Sequence, residues 1–475
     1  MSSSIERLKE QLDQSEVHLP GTAEYLAQSL PWSQHADAKP KLVITPSTLP
    51  SLQACVKLLY EDESLDFAVR NTGTGSASAR DVILSMHGLK SFSFDAATET
   101  VTVGAGLDWS EVEVKMAADA PGWALVGARC GWVGAAGGAL VGGYSWLSHE
   151  FGLISDPQNL LDAQVVLNDG RVVWASQEDG GSLLWALRGG GGNFGVVVGL
   201  KMRARKYHEA IFAGLVFLPY ERLEEVGEWV ERSVERLKDP KTAFAITNQG
   251  PGTGVPPQGA KPGIAVILFD AHGEEHAKSK EKGFGEIFEM EGLVEIACGM
   301  VPLSGMTKLA ESYKSYQGVN QFWGSAPLME EKVDAGIIKR AWDWYAKTVE
   351  ECPVLDQGST VLFEFCQAGF FNSSGSHTAS GWPHSGRKHV MQVVLGCNAA
   401  SVPPNLEELV HKRLSVAETE IGGGKETGEY HAGFLHRWND LDKVFSGNLE
   451  RLRAVKGTYD PKNRFDKSVP LVARG

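Results

Sequence analysis

Along residues 41–204, short apolar runs alternate with polar, glycine-rich turns. The spacing predicts a β-rich region with short helices. LVITP reads as a short strand stopped by Pro46, and SLQACVKLLYED has helical spacing. LDFAV and VILSM predict strands on either side of residues 69–76, VRNTGTGS. TVTVGAG alternates like a strand, and LDWSEVEVKMAADA follows as a helix. VVLNDGRVVW predicts a hairpin turning at Asn168, Asp169 and Gly170. GSLLWALRGGGG is a helix that stops at glycines, and FGVVVGLKMRA is a further strand.

After Arg205 the texture changes. Helical periodicity covers PYERLEEVGEWVERSVERLKD, GEEHAKSKEKGFGEIF, EEKVDAGIIKRAWDWYAKTVEE and PNLEELVHKRLSVAETEI. Strand patterns in TAFAITN, GIAVILFD, STVLFEFCQAG and HVMQVVLGCN lie between them. This mixture predicts an α+β unit, a mostly antiparallel sheet with helices on one face. PGTGVPPQGAKPG reads as a hairpin connection inside it, and DLDKVFSGNLERLRAVKGTYDPKNRFD as a helix and a polar turn.

Composition narrows the function. The 475 residues are 43% hydrophobic and 22% charged, as in a globular enzyme, and suffice for two or three domains. A formal charge of -14 argues against nucleic acid and against an anionic membrane surface. No run approaches the roughly 18 apolar residues that span a bilayer, and MSSSIERLKEQLDQ lacks a signal-peptide core. The six cysteines are scattered singly, with no CxxC pair or His-spaced cluster. No metal centre or disulfide framework is expected, and a reducing, cytoplasmic location fits.

Three glycine clusters carry the candidate chemistry. In the first, Gly73 and Gly75 flank Thr74, and such a turn offers backbone N–H groups to phosphate oxygens. It is neither a Walker loop nor a Rossmann fingerprint, and a tight β-turn is the plain alternative. The second, VGARCGWVGAAGGALVGGYSWLSHEFGLISD, is too rich in glycine for regular structure and suits a chain lying flat on a planar ligand. The third, WALRGGGGNFGVVVG, places Gly195, Val196 and Val198 against an aromatic base or in the core. Together the loops point to a long dinucleotide with a planar ring, FAD rather than NAD.

These motifs, in this order, with VVLNDGRVV and NLERLRAVKGTYDPKNRF, resemble the FAD-linked oxidoreductases of the vanillyl-alcohol-oxidase type, closest to the berberine-bridge-enzyme-like branch. The resemblance runs from about Pro40 to the end. It implies a two-lobed PCMH-type FAD-binding domain with an inserted α+β substrate domain. The expected division is 1–204 for the FAD-binding part, 205–425 for the substrate-binding domain, and 426–475 for a C-terminal return to the FAD-binding domain.

The resemblance also assigns residues. Arg70, Asn71, Thr72, Gly73, Thr74, Gly75 and Ser76 would hold the FAD pyrophosphate. Many relatives have a His at the place of Thr74, bonded to the flavin 8α-methyl; Thr cannot form that link. Cys130 matches a cysteine that some relatives bond to flavin C6, and either a cysteinyl link or simple packing beneath the ring is open. Val133 matches an oxygen gate, where a small residue favours oxidase behaviour. Gly134, Gly137, Gly138 and Tyr144 would line the flavin, and Asn448 and Asn463 would reach it from the tail. Val444 and Phe445 stand where relatives have a catalytic Tyr, which moves the base to Glu364, with Gln367 one strand step on. A Glu flanked by Phe is desolvated and raised toward neutrality. His384, in GWPHS, is a second base or anchor.

Trp323, Trp342, Trp344, Trp382 and Trp438 favour a planar aromatic or alkaloid-like substrate over a sugar. The expected activity is FAD-dependent oxidation of a small secondary metabolite by hydride transfer to flavin N5, with dioxygen as the final acceptor. The protein would be a monomer or homodimer. The alternative is an FAD-containing, non-redox cyclase.

Overall fold

Leu42–Ile44, Phe67–Arg70 and Val82–Ser85 are short apolar runs buried along almost their whole length, the pattern of parallel strands covered on both faces. In the computed structural model of the chain they pair in parallel, with Val17–His18 added antiparallel at the edge of this four-stranded sheet. The structure describes residues 3–248, 261–325, 327–329, 332–356, 358–365, 379–383, 389–397, 402–424 and 426–472. Helix Leu49–Glu61, capped where Thr48 accepts from the Ser51 N–H, makes one crossover. Residues 71–81 make the other without a helix, so the glycine turn itself carries the chain between neighbouring parallel strands.

A second, five-stranded antiparallel sheet runs in the order Phe92–Asp95, Thr100–Gly104, Val196–Arg203, Leu160–Val166, Val172–Trp174. The expected hairpin is present: Leu167 N–H donates to Arg171 O at 2.9 Å and Gly170 has φ +85°. Helix Trp109–Asp119 starts in a capping box made by Asp108 and Glu111.

The third sheet has eight antiparallel strands. Its path is Val294–Pro302, Ala210–Leu218, Ile264–Asp270, Thr242–Thr247, Thr360–Phe365, His389–Cys397 and Asn320–Ser325, with Leu328–Met329 also paired to His389–Cys397. Strand alternation separates its two faces. Phe212, Phe244, Phe363 and Phe365 pack with Trp229 and Trp342 of the helices Leu223–Arg236 and Gly336–Glu351. Ala213, Ala243, Ala245 and Ala265 point the other way and join the apolar cluster of the first two sheets.

The α+β class follows the sequence pattern, with instructive differences. Ala210–Leu218, Val294–Pro302 and Asn320–Ser325 were not expected as strands: the first is an unbroken apolar run without alternation, and the second is an edge. The helix expected over GEEHAKSKEKGFGEIF is only Glu274–Ala277. The chain folds back there, so closely that a Cβ on Gly283 would lie 2.1 Å from His276 O. Most of PGTGVPPQGAKPG lies outside the described residues.

The C-terminal helix Leu449–Tyr459 returns to the N-terminal half. Lys456 Nζ donates to Asn193 O at 3.0 Å, Asn193 Nδ2 donates to Val469 O at 2.8 Å, and Arg464 donates to Leu59 O at 2.9 Å. Among the described residues, no helix is long and apolar enough to cross a membrane.

Candidate active site

The first glycine turn is held open by its own backbone. Gly73 sits at φ +78° and Ser76 at +57°, and Ser76 N–H closes onto Gly73 O at 2.8 Å. Trp32 N–H also donates to Gly73 O, at 3.0 Å. The backbone N–H groups of Thr72, Gly73, Thr74 and Gly75 meet no acceptor among the described residues. The turn joins the second glycine cluster through Thr72, whose Oγ1 accepts from Gly134 N–H at 3.0 Å and lies 3.1 Å from Thr74 Oγ1. Asn71 Nδ2 donates to Leu107 O at 2.8 Å, while Asn71 Oδ1 is buried without a partner. A Cβ on Gly134 would strike Asn71 Nδ2 at 2.9 Å, so glycine is needed where the loops touch. On Gly75 and Gly137 a Cβ would meet nothing within 4 Å. Free N–H donors, an orphaned amide oxygen and two glycines facing open space fit the phosphates and hydroxyls of a dinucleotide.

Arg70 takes a different place from the one expected. Its guanidinium is buried and donates to Ser29 O at 3.0 Å and Leu30 O at 2.6 Å, with further bonds to Gln28 O and Ala77 O. It braces the turn from below: four carbonyls take its Nη1 and Nη2 donors, and Nε is buried without a partner among the described residues.

The second centre lies where this frame meets the eight-stranded sheet. Glu364 sits on the alanine-bearing face of Thr360–Phe365, in register with Ala245 and Val390. Arg129 Nη2 bonds Glu364 Oε2 at 2.6 Å, and both side chains are largely buried. The Arg129 guanidinium also covers the Trp146 ring at 4.5 Å. Burial raises the Glu364 carboxyl above its ordinary range, and Arg129 pulls it part of the way back. Next to Arg129, Cys130 opens a turn closed by Val133 N–H to Cys130 O at 3.1 Å. Its thiol is pushed up to about 12 by burial, more than Arg129 lowers it. A buried electropositive site that would favour the thiolate is therefore not what surrounds it. His149 is buried and lowered to about 3, first by burial and then by Arg129 and His389, so its imidazole is neutral.

The third glycine cluster packs on protein. A Cβ on Gly189 would lie 2.2 Å from Trp382 Cβ, one on Gly191 2.2 Å from Ser468 Oγ, and one on Gly195 2.8 Å from Val165 Cγ1. Val196 and Val198 are buried in the core, and Ala105 N–H donates to Val198 O at 3.0 Å. All three are closely packed against protein. Gly138 lies beside Val133, where a Cβ would come within 3.3 Å of Val133 Cγ1. Tyr144 packs on His431, ring centres 5.2 Å apart. Asn448 Nδ2 donates to Ser380 O at 3.2 Å, and Asn463, at φ +49°, turns the tail. Gln367 and His384 lie outside the described residues. Trp342 and Trp344 are helix-core residues, and Trp438 stacks between His411 and His436. Of the five expected wall tryptophans, these three do not face the frame.

Sequence reasoning missed Arg129, His149 and Tyr313. Burial pushes the Tyr313 phenol up, and Tyr316 and Cys130 add to the rise. Arg129 was the one with a signal: it is an Arg inside an otherwise apolar loop, directly before Cys130.

The FAD binding domain family matches residues 40–176, and the berberine and berberine-like family matches residues 430–470. An uncharacterized FAD-linked oxidoreductase of Arthroderma benhamiae is 29% identical over 50% of this chain and 48% of its own, so the chain spans about half of that relative. The FAD-linked oxidoreductase pgmH of Aspergillus terreus is 23% identical over 94% of this chain and 91% of its own. The solved structure of Physcomitrella patens BBE-like 1 matches all of both chains with a TM-score of 0.80 at 17% identity. The first match covers the open glycine turn, the second covers the tail that docks back onto the same frame, and the fold agrees from end to end. The chain thus matches the FAD binding domain and the berberine and berberine-like families in the segments that build this frame, and it shares its fold with the BBE-like structure.

Proposed function

We propose that the chain is an FAD-dependent oxidase of a small aromatic or alkaloid-like metabolite, with Glu364 as its base. Residues 1–204 and 426–475 hold FAD in this reading, and 205–425 hold the substrate. The observation that carries it is the buried Arg129–Glu364 pair at 2.6 Å, placed beside Cys130 where the two parts meet. FAD, when bound, supplies the hydride acceptor at N5 and hands the electrons on to dioxygen. Glu364 takes the substrate proton at its carboxylate, and burial, which raises its carboxyl, makes that carboxylate a stronger base. Arg129 fixes the orientation of that carboxylate. Val133, at the matched oxygen-gate position, leaves room for dioxygen in this reading. His384 and Gln367 are the remaining candidates for holding the substrate.

Under anaerobic conditions, Glu364→Gln should bind FAD normally but slow flavin reduction by about 10²–10⁴-fold. An unchanged reduction rate removes Glu364 from the mechanism. Product formed while the flavin stays oxidised would identify a cyclase instead.

The same reading makes the cofactor dissociable. Thr74 offers no ring nitrogen for a histidyl link, and the protonated Cys130 thiol is a poor nucleophile for flavin C6. Acid precipitation should leave the yellow colour in the supernatant; colour in the pellet would show that Cys130 is bonded.

A further inference from the structure

Away from the flavin frame, on the outer part of the eight-stranded sheet, Asp239, His272 and His276 bring one ligand atom each within 4.8 Å of the others. We propose that these three residues form a binding site for a divalent transition-metal cation, zinc above all. Asp239 lies in the turn between helix Leu223–Arg236 and strand Thr242–Thr247, and both histidines follow strand Ile264–Asp270.

Each ligand is positioned by groups behind it. Asp239 Oδ1 accepts from Lys241 N–H at 2.9 Å, which turns Oδ2 toward His272 Nε2, 2.8 Å away. His276 Nδ1 donates to Asp270 Oδ2 at 2.7 Å, and the Asp270 side chain has no exposed surface. A buried carboxylate holding one ring N–H fixes the tautomer and leaves Nε2 with its lone pair outward, as in carboxylate–histidine–metal arrangements. Asp270 Oδ1 accepts from His272 N–H at 2.9 Å, so the same carboxylate positions both histidines. The histidine rings lie 4.5 Å apart.

Two imidazoles and one carboxylate are a zinc-type donor set, with a fourth position for water. The His272 and Asp239 side chains keep 35% and 39% of their surface exposed, which gives an entry path. Zinc–nitrogen bonds of about 2.0–2.1 Å put tetrahedral ligands about 3.4 Å apart. Side-chain rotation closes the present spacing: His272 moves its ring proton to Nδ1, gives up its bond to Asp239, and offers Nε2. The neighbouring ammonium of Lys241 lies 3.5 Å from His208 Nε2, outside the triad. The His-x₃-His spacing of His272 and His276 straddles the start of the segment GEEHAKSKEKGFGEIF, which reads as a helix from Gly273 on.

The flavin-loaded protein, freed of metal by chelator and dialysed against low-micromolar zinc chloride, should retain one zinc per chain and melt at a higher temperature than without zinc. Asp239→Asn and His272→Gln should each weaken retention at least tenfold, and Asp270→Asn by about 10–100-fold. His87→Gln should not change it. Flavin absorbance and the metal-free melting temperature report whether each variant is folded. No retained zinc in the wild type, or equal retention by the folded His272→Gln/His276→Gln double variant, overturns the proposal.

Discussion

Glu364 is held by opposing influences. Desolvation raises its carboxyl, and the Arg129 guanidinium at 2.6 Å lowers it. Replacing Arg129 by Met removes the lowering influence and keeps much of the side-chain volume. The Glu364 carboxyl then rises further, so its deprotonated form appears only at higher pH. The acid limb of the pH profile for flavin reduction should move to higher pH. A limb that stays put would mean that another group takes the proton. The motif around Cys130 made this region visible in the sequence, but the partnership of Arg129 and Glu364 spans 235 positions and no local pattern announces it.

Among the elements, the glycine clusters look alike as letters and do different work. Gly137 lies in helix Ala135–Leu140 with open space beside its Cα, whereas Gly189 has φ +107° and faces Trp382. Gly137→Ala should leave the melting temperature of the FAD-free protein unchanged or higher, since Ala favours helix by up to about 1 kcal/mol. Its FAD affinity should fall, because the new methyl enters the cradle. Gly189→Ala should instead destabilise the chain, by about 1–3 kcal/mol from backbone strain alone, with the collision against Trp382 added. Comparing thermal melts with FAD titrations of the two variants tests the assignment. Equal FAD affinity in Gly137→Ala and wild type would mean that this helix does not border the cofactor.

At the scale of the molecule, the flavin frame and the eight-stranded sheet are also joined through a cavity of about 540 Å³ lined by Trp109, Trp123, Trp146, Met116 and Met306. Glu113 on helix Trp109–Asp119 lines it and accepts from Thr307 Oγ1 at 2.7 Å across the junction. Burial pushes the Glu113 carboxyl up to about 7 from an ordinary 4.5. A group raised in the folded state contributes stability that is fully present below its unfolded value and is lost as pH rises through its folded one. Wild-type thermal stability should therefore fall as pH rises from about 4.5 to about 7, and Glu113→Gln should flatten that slope. Parallel slopes for the two proteins would show that Glu113 is not responsible.

The sequence by itself determined what local chemistry controls. Apolar periodicity marked most helices and interior strands, Asn168 to Gly170 marked the hairpin, and the order of the glycine motifs identified the kind of frame and its cofactor. Thr74 in place of His was also legible at once, because the loss of a ring nitrogen depends on one side chain alone. Only the tertiary structure decided which glycines face open space and which face Trp382 or Ser468. It also turned Arg70 onto backbone carbonyls, paired Arg129 with Glu364, and drew Asp239 to His272 and His276. Each of these depends on where distant segments meet, and such a meeting follows from packing rather than from periodicity or spacing along the chain.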